Sequence, residues 1–400
     1  MARARLGVAA ALAAAVVLVG VGLWTRSGGN AKPASERAAR PGAPAAGGRL
    51  PRIDIHMHVG PTSIERLLAL MDRWGIDGIA NLSGMHPGPP RNLLEMQLEA
   101  ARKANGRVAV FVNVDFVRAV RAHPTDYGKA MADQLAEAKR LGAVGLKIPK
   151  GLGLGYPAPG FRALMKVDDP GLAPLFDKAG ELKMPVAIHV GDPKAFWKPA
   201  DPKNERWDEL QAHPEWSFYG NAPHGEPWPS WQNIFAAFEK LVARHPKTTF
   251  IGVHFGNAPE DPDAVARMLD TYPNLYIDTA ARVPEIGRQD AEKMRRFYTK
   301  YQDRVLFGTD TGVGESQEEM MYGSTGALPP TEADERRFFN ATYRYFETRD
   351  RQFDHPTPIQ GRWKIDGVGL PEPVLRKIYY ENAARLLGWK PRVAQPALTP

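Results

Sequence analysis

The chain has 400 residues, 43% hydrophobic and 24% charged, which excludes a wholly disordered polypeptide and gives enough apolar material for a sizeable core. Its net charge of +7 is not a nucleic-acid footprint: residues 1–50 hold seven Lys/Arg (Arg3, Arg5, Arg26, Lys32, Arg37, Arg40, Arg49) and one acid, Glu36, so +6 lies there and the other 350 residues carry +1. There is no cysteine, which excludes disulfides, thiolate metal sites, cysteine catalysis and a lipid-modified N-terminal Cys.

At the N-terminus Arg3 and Arg5 precede an apolar run, 6–24, the layout of an export signal. Nineteen such residues also suffice to span a bilayer. Residues 1–26 are therefore expected to be a cleaved signal peptide or a retained membrane anchor, and the protein exported, either periplasmic or held on the outer side of the membrane. The Ala/Gly/Ser/Pro-rich stretch 27–49 reads as a linker, and 50–400 as one folded domain.

Beyond the linker, apolar segments recur at 53–59, 78–82, 108–114, 143–148, 185–190, 249–254, 275–278 and 305–307. They are continuous runs of Val, Ile and Leu rather than alternating ones, as parallel strands covered by helices require. Amphipathic patterns at 64–74, 93–105, 127–141, 231–245 and 263–272 predict helices between them. Eight β-then-α units in order predict a single α/β domain, a (β/α)₈ barrel of the TIM type, with long lid loops after strands five and eight.

Polar side chains close these strands: His56 and His58 on strand one, Lys147 on four, His189 on five, His254 on six, Asp278 on seven and Asp310 on eight. In a barrel these ends converge on one mouth, where chemistry is done. His56 and His58, two apart on a strand, face the same way and make a natural chelate for a transition metal. An isolated His189, His254 or Asp310 has ordinary structural roles, but their joint placement on strands one, five, six and eight points to a shared cation. Arg282 after strand seven is either a clamp for a substrate carboxylate or phosphate, or an inter-loop salt bridge. Trp197, Trp207, Trp216, Tyr219 and Trp228 form either an aromatic wall or a satellite core. His86, His123, His213, His224, His245 and His355 fit no motif. Gly151-Leu-Gly-Leu-Gly155 lacks the helix-opening context of a phosphate loop, so no nucleotide cofactor is expected.

From Arg52 to Gly388 the sequence resembles the amidohydrolase superfamily, in its amidohydrolase-related (type 2) branch. The likeness rests on Asp54-Ile-His-Met-His58, His189, Ile251-Gly-Val-His-Phe-Gly256, Phe307-Gly-Thr-Asp310 and the closing Glu381-Asn-Ala-Ala-Arg-Leu-Leu-Gly388. It implies one or two divalent ions, commonly zinc, held by His56, His58, Lys147, His189, His254 and Asp310, with Asp310 as the catalytic proton acceptor. It also implies small-molecule substrates: a hydrolase for an amide, ester, lactone or phosphoester, or a lyase that decarboxylates a small carboxylic acid. A tethered protein with a purely structural metal is a third reading. Lys147 is the position of the carboxylated lysine that bridges two ions in binuclear members; otherwise it holds a substrate carboxylate or a salt bridge.

Overall fold

Eight of the apolar segments are strands: β1 (Ile53–Val59), β2 (Gly78–Asn81), β3 (Val108–Val112), β4 (Gly145–Ile148), β5 (Val186–Ile188), β6 (Phe250–Gly252), β7 (Leu275–Asp278) and β8 (Val305–Leu306). This is a computed structural model, and it describes residues 49–88, 92–223, 225–326 and 328–391. The leader, nearly all of the linker and His224 lie outside them. No described helix is long and apolar enough to cross a membrane.

Strands β1 to β8 pair in chain order, all parallel. Past β8 the chain pairs again: β9 (Thr311–Val313) runs parallel to β1, and β10 (Met321–Tyr322) antiparallel to β9. The ten-stranded sheet is curled, because the chain at and just after β8 also bonds back to β1: Ile55 N donates to Phe307 O (2.9 Å) and Asp310 N to His56 O (2.8 Å). The architecture is mixed α/β and consistent with a TIM-type barrel.

Helices α1 (Ile64–Trp74), α2 (Leu93–Lys103), α3 (Tyr127–Leu141), α4 (Ala173–Glu181), α5 (Trp231–Arg244), α6 (Pro262–Thr271) and α7 (Ala291–Lys300) follow β1 to β7 in turn. α5 shows why: Trp231, Ile234, Phe235, Phe238, Leu241 and Val242 recur at helical spacing and are buried, while Ser230 accepts from Asn233 N to cap the first turn. On β5 and β6 neighbouring residues alternate between two cores. Val186, Ile188 and Phe250 pack in the larger core, while Ala187 and Ile251 pack with Phe111 and Leu306 in a smaller one. Lys147 is in register with Ala187, and His189 lies two residues beyond it, so both share the face of the smaller core.

Two expectations are corrected. The predicted strand 249–254 ends at Gly252, because His254, Phe255, Gly256 and Asn257 all have positive φ (54°, 59°, 67° and 61°), which no strand tolerates. The stretch after strand eight is not mainly loop: it holds β9, β10, α8 (Glu332–Glu347) and a small hairpin of β11 (Phe353–Asp354) and β12 (Lys364–Ile365). The signal for α8 was present, since Thr331 and Asp334 cap each other's backbone in a capping box. After β5, the described residues of 191–230 carry short helical segments and an isolated bridge between Asn221 and Pro227. Their aromatic residues pack on the larger core rather than forming a separate satellite, with Trp197 4.7 Å and Trp228 5.1 Å from the buried Phe218 ring and Trp197 Nε1 donating to Pro229 O (2.8 Å). Tyr219 is left exposed.

Candidate metal centre

His56, His58 and Asp310 come together where β1 meets the turn after β8. Asp310 Oδ1 is 3.5 Å from His56 Nε2 and 3.3 Å from His58 Nε2. Lys147, buried at the centre, has its Nζ 3.5 Å from His56 Nε2. His254 packs against both His56 and His189, with ring centroids at 4.9 and 4.3 Å. Among the described residues His56 and His254 are buried, whereas His58, His189 and Asp310 keep 27%, 15% and 14% of their side-chain surface and form the exposed edge of the centre.

The hydrogen bonds decide which ring nitrogens carry lone pairs. His56 Nδ1 lies 2.8 Å from Asp278 Oδ2, and a carboxylate accepts, so Nδ1 holds the proton and Nε2 is free to ligate. His254 Nδ1 donates to Ala280 O (2.9 Å), with the same result. His58 Nδ1 contacts Ser83 Oγ at 2.7 Å and turns Nε2 towards Asp310. Among the described residues two groups of side chains have ligand atoms within 4.8 Å of one another: His56, His58 and Asp310, and His56, His254 and Asp278. The first fits a divalent ion, because two imidazole lone pairs and a carboxylate oxygen converge. In the second, the Asp278 contact to His56 is a hydrogen bond, so Asp278 acts by orienting its neighbours.

Sequence reading left that role of Asp278 unassigned. Its Oδ1 also accepts from His254 N (2.8 Å) and Ala280 N (3.1 Å), so both oxygens face donors. An amide can serve only one side. Asp278→Asn is therefore expected to weaken divalent-ion affinity 10- to 100-fold, measured by competition with a chromophoric chelator. Unchanged affinity would mean that His56 orients itself.

Two of the side chains sit on strained backbone. His254 (φ 54°) and Asp310 (φ 63°) both adopt the left-handed conformation, at roughly 1–2 kcal/mol each for a residue with a Cβ. The packed surroundings hold them there. Beneath Asp310, the buried Asp54 carboxylate accepts from His56 N (3.0 Å), Thr309 N (3.1 Å) and Thr309 Oγ1 (2.6 Å), tying β1 to the turn after β8.

Burial dominates the electrostatics. It depresses His56, and with the neighbouring His189 it holds His254 well below the ordinary imidazole range. His189 is lowered to about 4 and Lys147 to about 8, again chiefly by burial. For Asp310 burial works the other way, but His56, His58 and Lys147 outweigh it and keep the carboxyl well below its usual range. The result is neutral imidazoles at His56, His189 and His254 beside an ionised Asp310, the protonation states that a cation needs. Burial pushes Asp54 up to about 7 against its three hydrogen bonds.

His189 is placed differently from the other histidines. Its Nε2 donates to Gly191 O (2.9 Å) and lies 3.4 Å from Asp192 Oδ1, so Nδ1 is the nitrogen with a lone pair. Asp192, which no motif singled out, is also ion-paired to Lys150 and sits 3.8 Å from Arg282 Nη2. Of the histidines without a motif, His245 bonds Asp177 (2.8 Å), His213 bonds Thr325 O (2.9 Å) and His355 bonds Gly361 O (2.9 Å).

With this geometry in hand, comparison with known proteins is informative. Residues 53–389 match the family model described as amidohydrolase, and the chain belongs to that family. No curated protein matches it. Among solved structures it is similar to 2,6-dihydroxybenzoate decarboxylase in complex with 2,6-dihydroxybenzoate (17% identity, 85% of this chain and 100% of that one, TM-score 0.46). It is also similar to an uncharacterised TIM-barrel protein from Bordetella bronchiseptica (17% identity, 85% and 99%, TM-score 0.47). A third likeness is to an amidohydrolase from Burkholderia multivorans with bound HEPES (14% identity, 85% and 99%, TM-score 0.45).

Proposed function

We propose that this chain is a metal-dependent hydrolase that directs water onto an amide, ester, lactone or phosphoester bond of a small molecule. The observation that carries this reading is the convergence of His56 Nε2, His58 Nε2 and Asp310 Oδ1 at one partly open point. When bound there, a divalent cation, zinc on this donor set, supplies a Lewis acid that acidifies water and polarises the scissile oxygen. Asp310 accepts the water's proton and returns it to the leaving group. Asp278 keeps His56 in the ligating tautomer, and Ala280 O does the same for His254. Lys147 is the candidate for carboxylation: its buried amine would bond the carbon of CO₂ and release a proton, and the resulting carbamate would join His189 and His254 in holding a second ion.

In this reading the curled sheet is a complete (β/α)₈ barrel, the segments after strands five and eight cover its mouth, and the leader 1–26 carries the enzyme out of the cytoplasm, cleaved or retained as an anchor. Metal analysis of the purified full chain, coupled to a panel of amide, ester, lactone and phosphoester substrates, tests it. One or two divalent ions per chain are expected, with turnover lost on chelation and restored by metal. In His189→Ala, turnover is expected to fall, and equal turnover would remove His189 from the mechanism. Release of CO₂ from small carboxylic acids without hydrolysis would replace the hydrolase with a lyase.

A further inference from the structure

The charges around Asp192 do not balance. Lys150 and Arg282 both point at this one carboxylate, Lys150 in a close ion pair and Arg282 with Nη2 at 3.8 Å, beyond hydrogen-bond reach. Arg282 is buried, with 7% of its side chain accessible. Its Nη1 donates to Ala281 O (3.2 Å), and among the described residues its Nε has no hydrogen-bond acceptor. A buried guanidinium with an unfilled donor, sharing one carboxylate with a second cation, is costly unless an anion completes it. The position is next to the chemistry: Asp192 lies 3.4 Å from His189, whose ring packs on His254. Lys150 in turn lies 5.1 and 5.6 Å from the Trp216 and Phe218 ring centroids, so apolar surface adjoins the charge.

We propose that Arg282 is an anchor for an anionic group of the substrate, a carboxylate next to an apolar body, with Lys150 adding attraction and Asp192 holding the two cations apart until the anion arrives. This deepens the hydrolase reading and rests on it for the word substrate. A planar guanidinium matches a carboxylate with paired N–H donors, which a lysine cannot reproduce. Asp192 competes for the same cations, so removing its charge should favour the incoming anion.

The probe is benzoate against the neutral, nearly isosteric benzamide, with calorimetric titration of the full chain. Both metal-loaded and chelator-treated protein are titrated, because a bound cation also attracts carboxylates. We expect benzoate to bind at least tenfold tighter than benzamide in both forms, Arg282→Gln to abolish the preference in chelated protein, and Asp192→Asn to tighten benzoate several-fold. That gain cannot come from a misfolded variant. A preference that disappears on chelation, or that survives Arg282→Gln, overturns the anchor. Metal content is read separately, so a chain that binds no metal yet keeps an Arg282-dependent preference would sink the hydrolase and leave the anchor standing.

Discussion

Asp310→Asn is expected to lower kcat/KM by about 10³-fold, or about 4 kcal/mol of transition-state stabilisation, while leaving the fold intact. The reasoning starts from the backbone. Asp310 has φ 63°, a conformation that asparagine tolerates at least as well as aspartate, so this exchange removes charge without adding strain. What is lost is an ionised oxygen 3.3 Å from His58 Nε2 and 3.5 Å from His56 Nε2, the group to which the proposed mechanism assigns the water's proton. Asp310→Ala should show the same loss of rate together with lower stability, since alanine is strained at positive φ. Turnover within tenfold of wild type in the asparagine variant, with metal still bound, would show that some other group moves the proton.

The second large effect is on stability. Phe307→Ala should destabilise the protein by about 3–5 kcal/mol, read as a shift in the urea midpoint. Phe307 is fully buried, with its ring 5.0 Å from Tyr379, 6.0 Å from Tyr343 and 6.2 Å from Phe346. Truncation would leave a cavity between β8, α8 and the final helical segment, which cannot all close in together. The backbone of Phe307 also links that segment to β1, because its N–H donates to Ile378 O and its carbonyl accepts from Ile55 N. Asp310 lies three residues on, so part of the loss should appear as weaker metal retention. A shift worth under about 1 kcal/mol would mean that the aromatic lattice repacks freely around the gap.

The closing motif shows how a sequence feature acquires a physical reason. Glu381-Asn-Ala-Ala-Arg-Leu-Leu-Gly388 is legible as a family ending, but nothing in its composition says what it does. In the structure Asn382 Nδ2 donates to Gln302 O (2.6 Å) and Val305 O (2.8 Å), and Arg385 donates to Asp303 O (2.8 Å). The last helical segment is thereby fastened to the entry of β8, the short strand that carries the chain to Asp310.

What the residues alone determined was whatever depends on local pattern. Apolar runs of three to seven residues, broken by amphipathic stretches, declare parallel strands and their helices before any contact is known. The spacing of His56 and His58, and the polar residues at six of the eight strand ends, point to a common mouth. Tertiary structure decided what depends on partners far apart in the chain. Only folding brings Asp278 against His56, 222 positions away, and makes it the orienting carboxylate. Only packing forces His254 and Asp310 into left-handed backbone, because the cost is met by surroundings that no local window contains. The meeting of Lys150, Asp192 and Arg282 is of the same kind: charge at close range is a property of the fold, since the energy of a buried ion depends on distances and burial that sequence separation does not encode.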